Sequence, residues 1–288
     1  MRRVLILPVL LAALALGVFW LLGGFDQLGQ WAAGEQRDFQ NRIARALRAL
    51  RGGEAGALSL LMLFCFAYGV FHAIGPGHGK VLIGGYGLGR QVPWLRLSLI
   101  SLLASLGQAV TAVVLVTAGM GLLTLGRERM VDLAEDVMAP ASYLAIVAVG
   151  LWLIWRGARG LMQHEHGAEC SHRHGPAPDQ IARATGPREA LALIGGIAIR
   201  PCTGAIFVLI ITWQMGIAAA GIAGAFAMAL GTATVTIAVG LGASALRGGF
   251  LAGLAESPLA LQVVPMIEIL AGLMIAGIAG GVLLTTLS

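Results

Sequence analysis

Two short stretches decide how this chain is built: Phe71-His72-Ala73-Ile74-Gly75-Pro76-Gly77-His78-Gly79-Lys80 and Ala198-Ile199-Arg200-Pro201-Cys202-Thr203-Gly204. Both contain the pattern A-I-x-P-x-x-G, starting at Ala73 and at Ala198, 125 positions apart. A second pair follows in the same order, Leu106-Gly107-Gln108-Ala109 and Leu230-Gly231-Thr232-Ala233, 124 positions apart. Proline has no N–H to give and clashes with the preceding turn, and glycine loosens the backbone further. Gly75, Pro76 and Gly77 in the first stretch and Pro201 in the second therefore predict a helix break in each half of the chain.

The sequence around these breaks belongs to a bilayer. Of 288 residues 58% are apolar and only 11% charged, too few charges to cover a water-facing surface. Apolar runs at 4–22, 57–73, 97–125, 139–154, 190–214, 217–246 and 261–287 approach or exceed the roughly 20 residues that cross about 30 Å of hydrocarbon as a helix. Short alternating strands are absent, which excludes an outer-membrane barrel. The expected fold is an all-α, polytopic helical bundle. Three spans in each unit, 57–158 and 190–288, force the two units into opposite orientations, an inverted three-plus-three repeat. Residues 1–24 read as a signal peptide or signal anchor, and an uncleaved anchor fits the long apolar run better.

Between anchor and first unit, residues 25–56 hold Phe39, Ile43, Leu47 and Leu50 at spacings of three and four with arginines around them. The stripe suits either an interfacial helix lying on lipid headgroups or a plain juxtamembrane linker. Residues 159–189 form the one long polar loop, with four of the six histidines. Lys and Arg mark the cytoplasmic side, and with the N-terminus inside, Lys80, Arg90, Arg96, Arg156, Arg159 and Arg247 fall there, while Glu128, Asp132, Glu135 and Asp136 fall outside. The location implied is a bacterial inner membrane. Three cysteines allow one disulfide at most and argue against a disulfide scaffold.

A broken helix exposes backbone groups that are tolerable in a membrane only around a cavity or a packed interior, and paired breaks point to a transport site near the midplane. Two histidines flank the first break, and the turn lets His72 and His78 reach a common ion. Imidazole suits Ni, Co, Zn or Cu rather than Mg or Ca. Cys202, in the second break, is either a soft ligand or a small apolar filler. Arg200 and Glu268 are expensive in a membrane without partners, and each is the obvious candidate for the other; Glu268 is also a candidate ligand. Gln108, Arg200, Thr203 and Thr232 are candidate pathway residues, though interhelical hydrogen bonding explains most such groups. His164, His166, Cys170, His172 and His174 form either a loose metal-capturing tract or a solvated linker. GPGHGK is not a phosphate-binding loop: it is one residue short of G-x-x-x-x-G-K, and Val81 stands where Ser or Thr is needed.

With its HAIGPGHGK, RPCTGAIFVLI and LGTATVT segments and the histidine-bearing loop, the sequence resembles the nickel/cobalt transporter superfamily, in its NicO-type efflux branch. The resemblance implies a permease rather than an enzyme, with Ni2+ or Co2+ as substrate, no cofactor, no nucleic acid, and the bilayer and the ion as partners; a homo-oligomer is compatible with it. Related uptake permeases carry H-A-x-D-A-D-H, whose histidines have the spacing of His72 and His78. Gly75 and Gly77 replace its two aspartates here, which removes two hard anionic ligands. A transporter of a small anion or amino acid using Arg200 and Lys80 is the alternative, and a membrane thiol-redox conductor a more distant one, since the counterpart of Cys202 is Gly77.

Overall fold

The computed structural model describes residues 18, 22–74, 78–90, 92–123, 125–165, 187–254 and 260–287, and every regular element among them is helical. In chain order these are α1 (Gly24–Arg51), α2 (Ala57–Ile74), α3 (His78–Gly89), α4 (Trp94–Gly121) and α5 (Arg127–Asp132). A π-helical turn (Leu133–Met138) leads into α6 (Ala139–Glu165), followed by α7 (Pro187–Ala198), α8 (Thr203–Gln214), α9 (Ala218–Leu254) and α10 (Ala260–Leu287). Among the described residues five stretches, Ala57–Ile74, Trp94–Gly121, Arg127–Met162, Ala218–Gly249 and Val263–Thr286, are long and apolar enough to cross a bilayer, and α7 with α8, bent by 59°, counts as a sixth where the pair is taken as one broken span. These are the six spans expected after residue 57. The run 4–22 lies outside the described residues apart from residues 18 and 22.

Three features differ from expectation. First, the chain forms a separate helix, α3, directly after the first break; Leu82, Ile83 and Tyr86 on it are fully buried. With 12 residues it is about 18 Å long and too short to span, and the hydropathy of the flanking runs concealed it. Its glycines let neighbours approach closely: a Cβ on Gly85 would meet the Ile275 side chain at 2.7 Å. Second, α6 continues to Glu165, well past residue 154. Third, the apolar stripe of α1 packs on α2 instead of facing a lipid surface. Ile43 and Leu47 are buried in the same core as Leu61 and Tyr68, and the Phe39 ring stacks on Phe71 at 5.2 Å. Gly53 and Gly56, at φ 77° and 78°, make the tight turn that folds α1 back along α2.

The long helices cross where glycine leaves room. A Cβ on Gly231 of α9 would strike the Phe66 carbonyl of α2, and one on Gly107 of α4 would meet Ala198 Cβ of α7 at 2.6 Å. Gly107 and Gly231 are the matched residues of the second sequence pair, so the same position serves the α4–α7 crossing and the α9–α2 crossing. Small residues at helix crossings are the usual means of close approach in a bilayer. Helices α6 and α10 pack backbone to backbone, with a Cβ on Gly272 only 2.6 Å from the Gly150 carbonyl. In the first turn of α6, Pro140 cannot donate to the turn before it, and the widened π-helical turn lies directly ahead of it.

Candidate functional site

Both interrupted helices contribute to the lining of one cavity of about 290 Å³. His72 enters it from the last turn of α2, and Pro201, Cys202 and Thr203 from the break between α7 and α8. Cys202 is the N-cap of α8, with φ −71° and ψ 126°, an extended residue that directs its side chain off the helix axis. The His72 imidazole and the Cys202 thiol, both lining the cavity, are close enough to interact. Gln108 of α4, Arg200, and Thr232 of α9 also line it, so all four expected pathway residues meet here.

Hydrogen bonds tie α4 to the break between α7 and α8, and α9 to α2. Gln108 Nε2 donates to the carbonyls of Ile197 and Arg200, both at 3.3 Å. Its counterpart Thr232 donates through Oγ1 to the Gly69 carbonyl of α2, also at 3.3 Å. Gln108 thus reaches from the second helix after the first break to the end of α7 and the break beyond it, and Thr232 from the second helix after the other break to α2. Thr234 and Thr236 instead bond within α9, to Leu230 and Thr232.

Arg200 does not pair with Glu268. Its Nη2 lies 2.9 Å from Glu135 Oε2 on the π-helical turn, and its Nη1 donates to Tyr143 Oη at 2.5 Å. The pairing with Glu268 assumed that the last span faced the second break. In the structure Glu135, on the turn ahead of α6, reaches the break and pairs with Arg200 in the cavity wall.

Sequence reasoning missed Ser101, Ser105 and Tyr143, which line the cavity with Lys80. Ser101, Ser105 and Gln108 fall at helical spacing on an otherwise apolar span, a polar stripe that was there to be read. It also missed Gln36 of α1, whose Oε1 lies 3.2 Å from His72 Nδ1; nothing local marks a contact spanning 36 positions.

Among the described residues no group of three or more His, Cys, Asp and Glu side chains converges as a metal site. The His78 side chain and Gly75, Pro76 and Gly77 lie outside the described residues. So do the side chains of His164, His166, Cys170, His172 and His174.

Comparison with known proteins gives this cavity a context. The NicO family, described as "High-affinity nickel-transport protein", matches residues 58–188. A protein of Haemophilus influenzae named "Putative nickel/cobalt efflux system" is 31% identical over 252 residues, which cover 78% of this chain and 77% of the relative. The chain belongs to the NicO family. It is therefore a member of a transporter family, not of an enzyme family. A protein of the same description from Methanocaldococcus jannaschii is 30% identical over 107 residues, covering 37% of this chain and 47% of its own. No solved structure matches the NicO chain.

The remaining buried charges of this NicO protein gather one stage further along the bundle. Glu268 of α10 lies 3.9 Å from Arg90 and 3.7 Å from Arg156. Glu189 of α7 faces the same two arginines at 3.5 and 3.8 Å and accepts from Tyr86 Oη at 2.9 Å. Arg247 of α9 is near them, 5% exposed. Glu268 is thus part of an ion-pair network and does not line the cavity. Three basic residues assigned by sequence to the cytoplasmic side are inside the bundle: Lys80 lines the cavity, and Arg90 and Arg247 are 2% and 5% exposed. Arg156 and Glu189 lie toward the polar-loop side of α6 and α7, whereas Glu135 and Arg200 lie beyond the other ends of those helices, so the two charge clusters are separate.

Proposed function

We propose that this protein carries Ni2+ or Co2+ out of the cytoplasm, across a bacterial inner membrane, by alternating access about the cavity between the two interrupted helices. The observation that carries the reading is the meeting of His72 and Cys202 in that cavity. An imidazole nitrogen and a sulfur form a borderline-soft pair, which favours late first-row divalent ions over Mg2+ and Ca2+. His78 is the third ligand in this reading, and the Thr203 and Thr232 hydroxyls and water complete the shell. So sparse a protein ligand set suits a carrier that must release its ion.

The two units are read as inverted repeats. Support comes from the helix ends after Ala73 and Ala198, the glycines Gly107 and Gly231 at equivalent crossings, and the equivalent reach of Gln108 and Thr232. In this scheme the Arg200–Glu135 pair and the Arg90–Arg156–Glu189–Glu268 network close the cavity from opposite ends in turn. The His164 to His174 tract gathers ions on the loop side. Protons are the counter-species, because imidazolium and thiol must lose protons to become the neutral imidazole and thiolate that ligate.

The test is ion flux in proteoliposomes under a defined pH gradient, comparing Ni2+, Co2+, Zn2+ and Mn2+. His72→Ala with His78→Ala should abolish nickel and cobalt flux, and unchanged flux removes the site. The anion or amino-acid reading draws on Lys80 and Arg200, which do line the cavity, but the Arg200 charge is already matched by Glu135. Competition of nickel flux by oxyanions would favour it.

A further inference from the structure

The His72 ring is held by a residue outside the matched family segment. Gln36 of α1 presents Oε1 to His72 Nδ1 at 3.2 Å, and its Nε2 donates to the Ala32 carbonyl one turn back at 3.3 Å. The second bond fixes which way the amide faces. A flipped amide would set Oε1 against the Ala32 carbonyl, so the oxygen is the atom that faces the imidazole, and an amide oxygen accepts but cannot donate. Nδ1 must therefore carry the proton, and the ring's lone pair is left on Nε2. The Tyr68 ring, stacked on His72 with an interplanar angle of 9° and centroids 6.0 Å apart, limits tilting of the imidazole. Tyr68 is in turn within 3.5 Å of Gln40 Nε2, one helical turn along α1 from Gln36.

Helix α1 is anchored well enough to position a ring. The Trp31 and Phe39 rings bracket Phe71, at 5.4 and 5.2 Å between centroids, in the residue next to His72. Ile43 and Leu47 are buried behind them.

We propose that Gln36 is a positioning residue for the transported ion: it holds His72 in the Nδ1-protonated tautomer, so that Nε2 is the metal-binding nitrogen. The proposal rests on His72 being an ion ligand. Partners of this kind, on the far nitrogen of a ligating histidine, typically change metal affinity roughly 10- to 100-fold when removed. Helix α1 thereby becomes part of the transport machinery rather than a membrane-surface attachment.

The experiment uses the full chain in proteoliposomes with Ni2+ as the probe. Initial flux is measured against Ni2+ concentration for the wild type, Gln36→Met, Gln36→Glu and His72→Ala. Gln36→Met keeps the length of the side chain without its acceptor; the half-saturating Ni2+ concentration should rise roughly 10- to 100-fold at a nearly unchanged maximal rate. Gln36→Glu restores an acceptor and should return the half-saturating concentration to within a few-fold of wild type. In 15N spectra of histidine-labelled wild-type protein without metal, His72 should show a protonated Nδ1 and a bare Nε2. The opposite tautomer overturns the proposal without any variant. It is also overturned if Gln36→Met saturates like wild type while His72→Ala abolishes flux, or if Gln36→Met loses maximal rate alone and Gln36→Glu fails to rescue it. Normal flux in His72→Ala overturns both the proposal and the ion-site reading beneath it.

Discussion

Replacing Gly107 by alanine should push the end of α7 away from α4. The new Cβ would lie 2.6 Å from Ala198 Cβ, where ordinary contact begins at 3.4 Å and extends to 4 Å, so the helices must separate by about 1 Å. Gln108 Nε2 already sits 3.3 Å from the Ile197 and Arg200 carbonyls, and that displacement carries both bonds beyond useful length. Overpacking of this kind costs about 1–3 kcal/mol, and each hydrogen bond lost adds about 0.5–1.5 kcal/mol. The better helix propensity of alanine returns about 0.5–1 kcal/mol. The balance is a loss of about 1–5.5 kcal/mol, readable as a lower thermal midpoint in detergent. Cys202 lies four residues beyond Ala198, so nickel flux in proteoliposomes should fall as well. Ala198→Gly removes the opposing carbon and should restore both readouts in the double variant. Gly195→Ala is the control, since a Cβ there meets nothing within 4 Å, and it should leave flux unchanged. Wild-type stability and flux in Gly107→Ala, or no recovery with Ala198→Gly, would refute the proposed crossing.

Cys202→Ser keeps the side-chain size but replaces a soft ligand with a hard one, and should lower nickel flux relative to manganese by about tenfold; an unchanged ratio in a competition assay speaks against thiol ligation. Glu135→Gln removes the carboxylate that balances Arg200 at 2.9 Å and should depress cation flux, while adding Arg200→Gln should recover it; equal losses in single and double variants would break the electrostatic link. Glu268→Gln leaves Arg90, whose side chain is 3% exposed, short of a carboxylate, and should destabilise the fold by up to about 3–5 kcal/mol, measured as a drop in thermal midpoint; an unmoved midpoint would show that Glu189 suffices. Because an imidazole must be neutral to bind metal, nickel flux should fall as pH drops below neutrality at fixed free Ni2+; the same acid inhibition in His72→Ala would assign it elsewhere.

Much of the architecture was legible because bilayer solvation is a severe constraint. Apolar runs mark spans, and prolines flanked by small residues mark the breaks. Gln108, Arg200, Thr203 and Thr232, which line one cavity, stand out in the sequence for the same reason, since polar groups on apolar spans are rare enough to count. Helix α3 was not, because a 12-residue helix that is buried all round has no periodicity to set it apart from its surroundings. The partner of Arg200 was misread because pairing within a membrane depends on which helix ends share a level. Glu135 lay in what read as an outer acidic turn, and only the π-helical turn ahead of α6 brings it to the break.

By itself the sequence determined a membrane-spanning helical chain with two interrupted helices, and a histidine and a cysteine at the interruptions. Those are local properties, set by hydropathy and by the backbone chemistry of proline and glycine. The tertiary structure alone decided that both interruptions open on one cavity, that Glu268 belongs to an arginine network and Arg200 to Glu135, and that α1 folds back to present Gln36 to His72. The physical reason is distance along the chain. Contacts spanning 36, 65 or 92 positions leave no local pattern, and they are chosen by which helices pack closely enough for their polar groups to meet.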